Sequence, residues 1–134
     1  MNNNVKIFFG VIAVLIVGLA VVFIVQSNAE PTGPGKYDEF ATCLKDKGAI
    51  FYGAFWCSHC KATKKLFGAS TKLLPYVECS TPDASGQTQE CTDKNITSYP
   101  TWVFADKTEL KGEVTFQQLA DKTSCVLPIL SQSR

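Results

Sequence analysis

The 134-residue chain has a single histidine, His59, and no excess of either charge: thirteen Lys and Arg against twelve Asp and Glu leave a formal charge of +1. Its cationic residues form no dense block between aromatics, so nothing in the charge pattern calls for a nucleic acid as partner. There is no internal repeat and no low-complexity tract, and the length accommodates one compact domain with appendages but not a second full domain. A second C-x-x-C is also missing. Cys57 and Cys60 make one, which is half of a zinc knuckle, but Cys79 and Cys91 are not its counterpart and no C-x-x-C…H-x-H spacing exists, so no metal site is expected.

Cysteine itself is plentiful, with six in this short chain. One reading is a scaffold stapled by three disulfides; the other divides the cysteines into unlike roles. Division is favoured, because Cys57 and Cys60 are too close in sequence to staple distant elements.

The second conspicuous feature is Ile7 to Val25, nineteen residues without charge or proline, interrupted only by Gly10 and Gly18. As a helix it would be ~28 Å long, close to the ~30 Å hydrocarbon core of a bilayer. Lys6 and the amino terminus flank one side; Glu30, Asp38 and Glu39 with only Lys36 follow the other. The positive-inside rule then puts residues 1–6 in the cytoplasm, 7–25 in the membrane and the folded part on the extracytoplasmic face, periplasm or thylakoid-lumen equivalent, where disulfides persist. Ser27-Asn28-Ala29 offers small residues for a signal peptidase, but the apolar run exceeds the ~7 to 15 residues usual for cleaved signals, so a retained single-pass anchor is the preferred reading. Both readings deliver the domain to the same compartment.

Residues 26–36 contain Pro31, Gly33, Pro34 and Gly35 and suit a flexible linker, so the domain spans 37–134. Phe40, Ala41 and Leu44 predict a helix over Tyr37–Lys47, closed by Gly48, and the apolar run Ala49–Trp56 predicts a central strand covered on both faces. Ala62, Leu66, Phe67, Leu73 and Leu74, with Lys61, Lys64, Lys65 and Lys72 between them, predict a long amphipathic helix from Ser58 to Pro75, with a bend at Gly68. A strand over Tyr76–Cys79, a loop over Thr81–Gln89, a short helix over Cys91–Ile96, a hairpin of Thr101–Phe104 with Glu109–Gly112, and a helix opened by Thr115 and running to Thr123 complete the order. The result is an α/β sandwich with a parallel strand pair joined through a helix and a terminal hairpin.

Cys57-Ser58-His59-Cys60 therefore stands at a strand-to-helix junction. A thiol of ordinary pKa ~8.5 is only a few per cent thiolate at neutral pH, and a helix N-terminus favours the anionic sulfur. Cys60, one turn on and on the same side, can resolve a mixed disulfide formed at Cys57. An imidazolium at His59 would further stabilise the Cys57 thiolate, which makes the oxidised pair the stronger oxidant; the bland alternative is a solvated loop histidine.

Phe55-Trp56-Cys57-Ser58-His59-Cys60, followed by Ser98-Tyr99-Pro100-Thr101 ahead of a strand, resembles the thioredoxin superfamily. The resemblance implies a thioredoxin-like fold, a central mixed β-sheet flanked by helices, with a cis-proline at Pro100 facing the dithiol and Tyr99 offering its backbone to a substrate strand. The strings Gly48 to Cys57, Leu66-Phe67-Gly68, Pro75 to Cys79 and Ile96 to Trp102 are similar to the thioredoxin-like domain fused to bacterial homologues of vitamin K epoxide reductase, and the likeness covers most of Phe40 to Leu119. It implies a thiol–disulfide oxidoreductase that oxidises exported cysteine-containing proteins, needs no cofactor beyond its own Cys57–Cys60 disulfide, and is re-oxidised by a separate quinone-linked membrane thiol oxidase. It also implies a Cys79–Cys91 pair, either a structural disulfide or a relay. The better-known thioredoxins carry a buried carboxylate six residues before the first active cysteine; here that position is Phe51, which weakens the reductase reading.

Two alternatives stay open: a tethered reductase or isomerase, and a non-enzymatic metal carrier. Cys43 and Cys125 are expected to be separate buried thiols, because the first and last helices of such a fold usually cover opposite faces of the sheet.

Overall fold

A computed structural model describes residues 2–27 and 34–128. Residues 28–33 of the expected linker, and with them Asn28-Ala29 of the candidate peptidase site, lie outside the described residues. The chain divides into two compact units, Met1–Thr32 and Gly33–Arg134.

The first unit is helix α1 (Asn3–Ser27). Its Val5–Phe23 segment is, among the described residues, the one helix long and apolar enough to cross a membrane. Phe9, Val14, Leu15, Leu19 and Phe23 are all exposed, so the described part of this segment presents apolar side chains around its circumference.

The second unit begins with α2 (Asp38–Asp46), whose buried stripe is Phe40, Ala41 and Leu44. Its start is held from a distance: the buried Ser70 accepts the Tyr37 N–H at 2.9 Å through its hydroxyl. Strand β1 (Ile50–Gly53) leads into α3 (Ser58–Phe67), then a 3₁₀ helix (Gly68–Leu73) and β2 (Tyr76–Glu78). After a loop come α4 (Gln89–Asp93), β3 (Thr101–Val103), β4 (Glu109–Lys111) and α5 (Phe116–Thr123). Thr115 and Gln118 form a reciprocal capping box at the start of α5, which satisfies two otherwise unpaired N–H groups.

The sheet order is β2-β1-β3-β4; β1 and β2 run parallel, and the other two pairings are antiparallel. Phe51 stands opposite Tyr76 on one side and Trp102 on the other, and Trp102 opposite Leu110. Because side chains alternate along a strand, these four form one row on one face of the sheet, with the Phe51 ring 4.8 Å from Trp102 and 5.4 Å from Tyr76. Tyr52 faces the other way, into a smaller cluster with Cys79, Cys91 and Ile96. Phe51 and Tyr52 are both buried, as expected for a central strand covered on both faces.

Two sequence expectations need correction. The predicted continuous helix from Ser58 to Pro75 is broken at Gly68, whose φ of 55° lies in the region glycine tolerates best. The buried face of α3 is Cys60, Thr63 and Phe67, whereas Leu66, expected inside, is 61% exposed. Phe67 and the dithiol set the rotation of this helix, and Leu66 falls outside that stripe.

The other correction concerns Cys43 and Cys125, which are joined in a disulfide with Cα atoms 5.9 Å apart. The helices that carry or precede them do not lie on opposite faces. Phe40 of α2, Phe67 of α3 and Phe116 of α5 are mutual neighbours, with ring centroids 6.2, 5.7 and 4.6 Å apart. All three helices therefore share the Phe51 face, and the end of α5 comes up beside α2.

Candidate active site

The site is built where β1 stops. After Gly53 the chain turns through Ala54-Phe55-Trp56, with the Cys57 N–H donating to the Ala54 carbonyl at 3.0 Å, and Cys57 becomes the N-cap of α3 in extended conformation. Its sulfur accepts the Cys60 N–H at 3.3 Å, one of the donors that the first helical turn leaves unpaired. Neither cysteine is disulfide-bonded. Cys57 retains 6% exposure and Cys60 only 1%, so an incoming sulfur reaches Cys57 first.

Burial pushes the Cys60 thiol up to about 12, and contact with the Cys57 sulfur pushes the same way; the Ala54 backbone N–H and, more weakly, the Lys64 ammonium oppose them. Cys60 is therefore held protonated, and the two sulfurs differ in reach, with Cys57 open to an incoming group and Cys60 sealed beneath it. Gly53 permits this arrangement: a Cβ there would lie 2.9 Å from Cys60 Sγ and 3.0 Å from the Tyr76 ring.

The Tyr99–Pro100 peptide bond is cis. Pro100 is buried, its carbonyl accepting the Gly112 N–H at 2.8 Å. Tyr99 meets the dithiol loop through Trp56, edge to face at 5.9 Å, and its hydroxyl accepts from Gln87 Nε2. Trp56 is anchored in turn, its indole N–H donating to Ser80 Oγ at 2.8 Å. Phe55 and Trp56 remain about half exposed, an apolar rim next to Cys57.

His59 stands at the rim as well, but its hydrogen bond goes to Glu113, with Nδ1 2.7 Å from Oε1, and both side chains are more than 60% exposed. An exposed pair of this kind is worth little, and the hydrogen-bond partner of the imidazole is a carboxylate at the rim rather than the Cys57 sulfur. Cys79 and Cys91 are disulfide-bonded, with Cα atoms 5.5 Å apart, both fully buried on the Tyr52 face of the sheet. Among the described residues no cluster of three or more His, Cys, Asp or Glu side chains is placed to hold a metal ion.

The thioredoxin family model matches residues 34–124, which takes in the whole of this site. The chain belongs to the thioredoxin family. A curated relative of this thioredoxin domain is the "Thiol-disulfide oxidoreductase LTO1" of Arabidopsis thaliana, 44% identical over 85 residues, which are 60% of this chain and 22% of the relative. The chain thus spans about a fifth of that relative's length. Family membership and the dithiol geometry agree: the Cys57–Cys60 pair stands within a thioredoxin domain.

Sequence reasoning missed four members of the site's surroundings: Lys64, Tyr76, Glu78 and Glu113. Lys64 was readable in principle, four residues after Cys60 on one helix. Tyr76 and Glu78 share a face of β2 but reach the dithiol only through the β1–β2 register, and Glu113 only through the chain's return after β4.

Proposed function

We propose that this thioredoxin-family oxidoreductase works tethered to a membrane on the extracytoplasmic side, passing its Cys57–Cys60 disulfide to exported cysteine-containing proteins. A client thiolate attacks Cys57, Cys60 leaves, and a second client thiolate then displaces Cys57, so that the client carries the disulfide away and the dithiol remains. Re-oxidation falls to a separate quinone-linked membrane thiol oxidase resembling vitamin K epoxide reductase. Tyr99 and Pro100 would position the client strand, and the Phe55–Trp56 rim would receive its apolar side chains.

The observation that carries this reading is the pair of disulfides outside the reactive site, Cys43–Cys125 and Cys79–Cys91. Bonds of this sort persist in oxidising compartments and are rare in the cytoplasm, and helix α1 has the length and composition to hold the domain there. The apolar Phe51, buried beneath the sheet face, supports the oxidising direction by supplying no carboxylate for a reductase cycle.

Three measurements test it. The reduction potential of Cys57–Cys60 is expected well above the thioredoxin value of ~−270 mV, towards the ~−120 mV of strong oxidants; a value near the former overturns the direction. In intact cells the pair is expected oxidised, and to become reduced when a candidate quinone-linked oxidase is removed. Cys60→Ala is expected to trap mixed disulfides with clients through Cys57, an outcome that a metal carrier would not give.

A further inference from the structure

Lys64 is a charge that disulfide exchange, as described so far, leaves idle. It is half-buried although it is a lysine, and it follows Cys60 by one helical turn on the same side of α3. Its Nζ lies 3.3 Å from the centroid of the Tyr76 ring, a position in which the ring's negative face holds a cation.

Tyr76 is itself fixed. Its hydroxyl donates to Glu78 Oε2 at 2.6 Å, while Glu78 Oε1 accepts the Phe55 N–H at 3.1 Å and the Ser80 N–H at 2.9 Å. The Phe55 contact ties this carboxylate to the dithiol loop. A Cβ at Gly53 would meet Cys60 Sγ at 2.9 Å and the Tyr76 ring at 3.0 Å, so the sulfur and the ring flank one spot beside Gly53. Lys64 is therefore held against the ring that stands near the Cys60 sulfur, and Glu78 fixes that ring to the strand.

We propose that Lys64 supplies the cationic charge that stabilises the Cys60 thiolate while the Cys57–Cys60 disulfide opens and closes, with Tyr76 and Glu78 as the residues that position it. When a client thiolate attacks Cys57 Sγ, the new sulfur–sulfur bond forms as the Cys57–Cys60 bond breaks, and the electron pair leaves on Cys60 Sγ, which then takes one proton from solvent. In closure the Cys60 thiol releases that proton and its thiolate attacks Cys57 Sγ, expelling the client thiolate. Both directions pass through a buried sulfur anion near Gly53, in a core cluster shared with Phe51 and Trp102, none of which carries charge. The ionisable groups around it are Cys57 and Lys64 on α3 and Tyr76 and Glu78 on β2; α2 and α5 bring Phe40, Leu44 and Leu119 to the same cluster, and the His59–Glu113 pair stands on the solvent side. The opposing influence of Lys64 on the raised Cys60 ionisation agrees with the geometry. The inference rests on disulfide exchange at Cys57–Cys60 and is independent of its direction in the cell.

The test uses the full chain in detergent micelles, reduced only at Cys57–Cys60, mixed with 5,5′-dithiobis(2-nitrobenzoate) in a stopped-flow instrument. The first equivalent of thionitrobenzoate reports attack by Cys57, and the second reports closure by Cys60. An opposite charge at close range moves a thiol by about one pKa unit or more. Each unit removes about tenfold of the thiolate, partly offset by its higher intrinsic nucleophilicity. In Lys64→Met the second phase is therefore expected to slow about threefold at neutral pH, with its pH profile displaced upward by about one unit and the first phase unchanged. Lys64→Arg is expected to restore both, since a fixed charge suffices, and Lys64→Gln repeats the comparison should Met disturb packing. A wild-type second phase in Lys64→Met and Lys64→Gln, or an Arg variant that behaves like Met, overturns the proposal. A thioredoxin-like reduction potential would overturn the cellular direction proposed above while leaving this comparison of rates intact.

Discussion

Cys57–Cys60 and Cys79–Cys91 lie on opposite faces of one four-stranded sheet, and the same element acts differently in the two places. Cys79 and Cys91 are both fully buried, twelve residues apart in sequence and bridged. Cys57 caps a helix at the domain surface, with one sulfur reachable and the other sealed beneath it. Cys43–Cys125 belongs with the bridged pair in role, although it sits on the same face as the dithiol. Reactivity here follows from where a sulfur stands relative to solvent and a helix end, whereas bridging follows from two packed elements meeting.

The sharpest way to break this comparison is to remove one sulfur from each class. Cys57→Ser is expected to abolish exchange in a disulfide-transfer assay while leaving the thermal midpoint nearly unchanged, since a serine still offers an N-cap oxygen. The double variant Cys43→Ala/Cys125→Ala is expected to do the reverse. With a sequence separation of 82, loss of its cross-link costs about 4.5 kcal/mol in the loop-entropy picture, against about 3 kcal/mol for Cys79→Ala/Cys91→Ala with its separation of 12. Chemical denaturation of the two double variants checks the order.

A smaller effect concerns pH. The Cys60 thiol is raised in the folded dithiol form from its ordinary 9.0 to about 12. Above 9 the unfolded chain gives up a proton that the folded one retains, so stability is fully present below pH 9 and is lost progressively towards 12. Unfolding of the dithiol form followed from pH 8 to 11 is expected to decline more steeply than in Cys60→Ala; parallel curves would mean that Cys60 ionises freely. The smallest effect is expected from His59→Gln, whose exposed partner Glu113 makes a change in exchange rate of more than about threefold unexpected.

The sequence revealed those parts of the molecule that depend on local pattern. The α2 stripe of Phe40, Ala41 and Leu44, the unbroken apolar run through Phe51 and Tyr52, the Thr115 cap and the C-x-x-C at a helix start are all stated by neighbouring residues. What it concealed depends on layering. The rotation of α3 was misread because Leu66 looks like a core residue while Lys64 looks like a solvated one, and only Phe67 and the dithiol decide which way the helix turns. Cys43–Cys125 was missed for the same reason: no local pattern says that α2 and α5 share a face.

That bond has a topological consequence. It closes nearly the whole folded unit into a covalent ring, within which Cys79–Cys91 closes a smaller one. The exposed stretch Pro82 to Gly86 lies inside both rings. A protease that nicks the chain there would release nothing: the severed ends would stay linked through Cys79–Cys91, and the pieces would migrate as one molecule until both rings were opened by reductant.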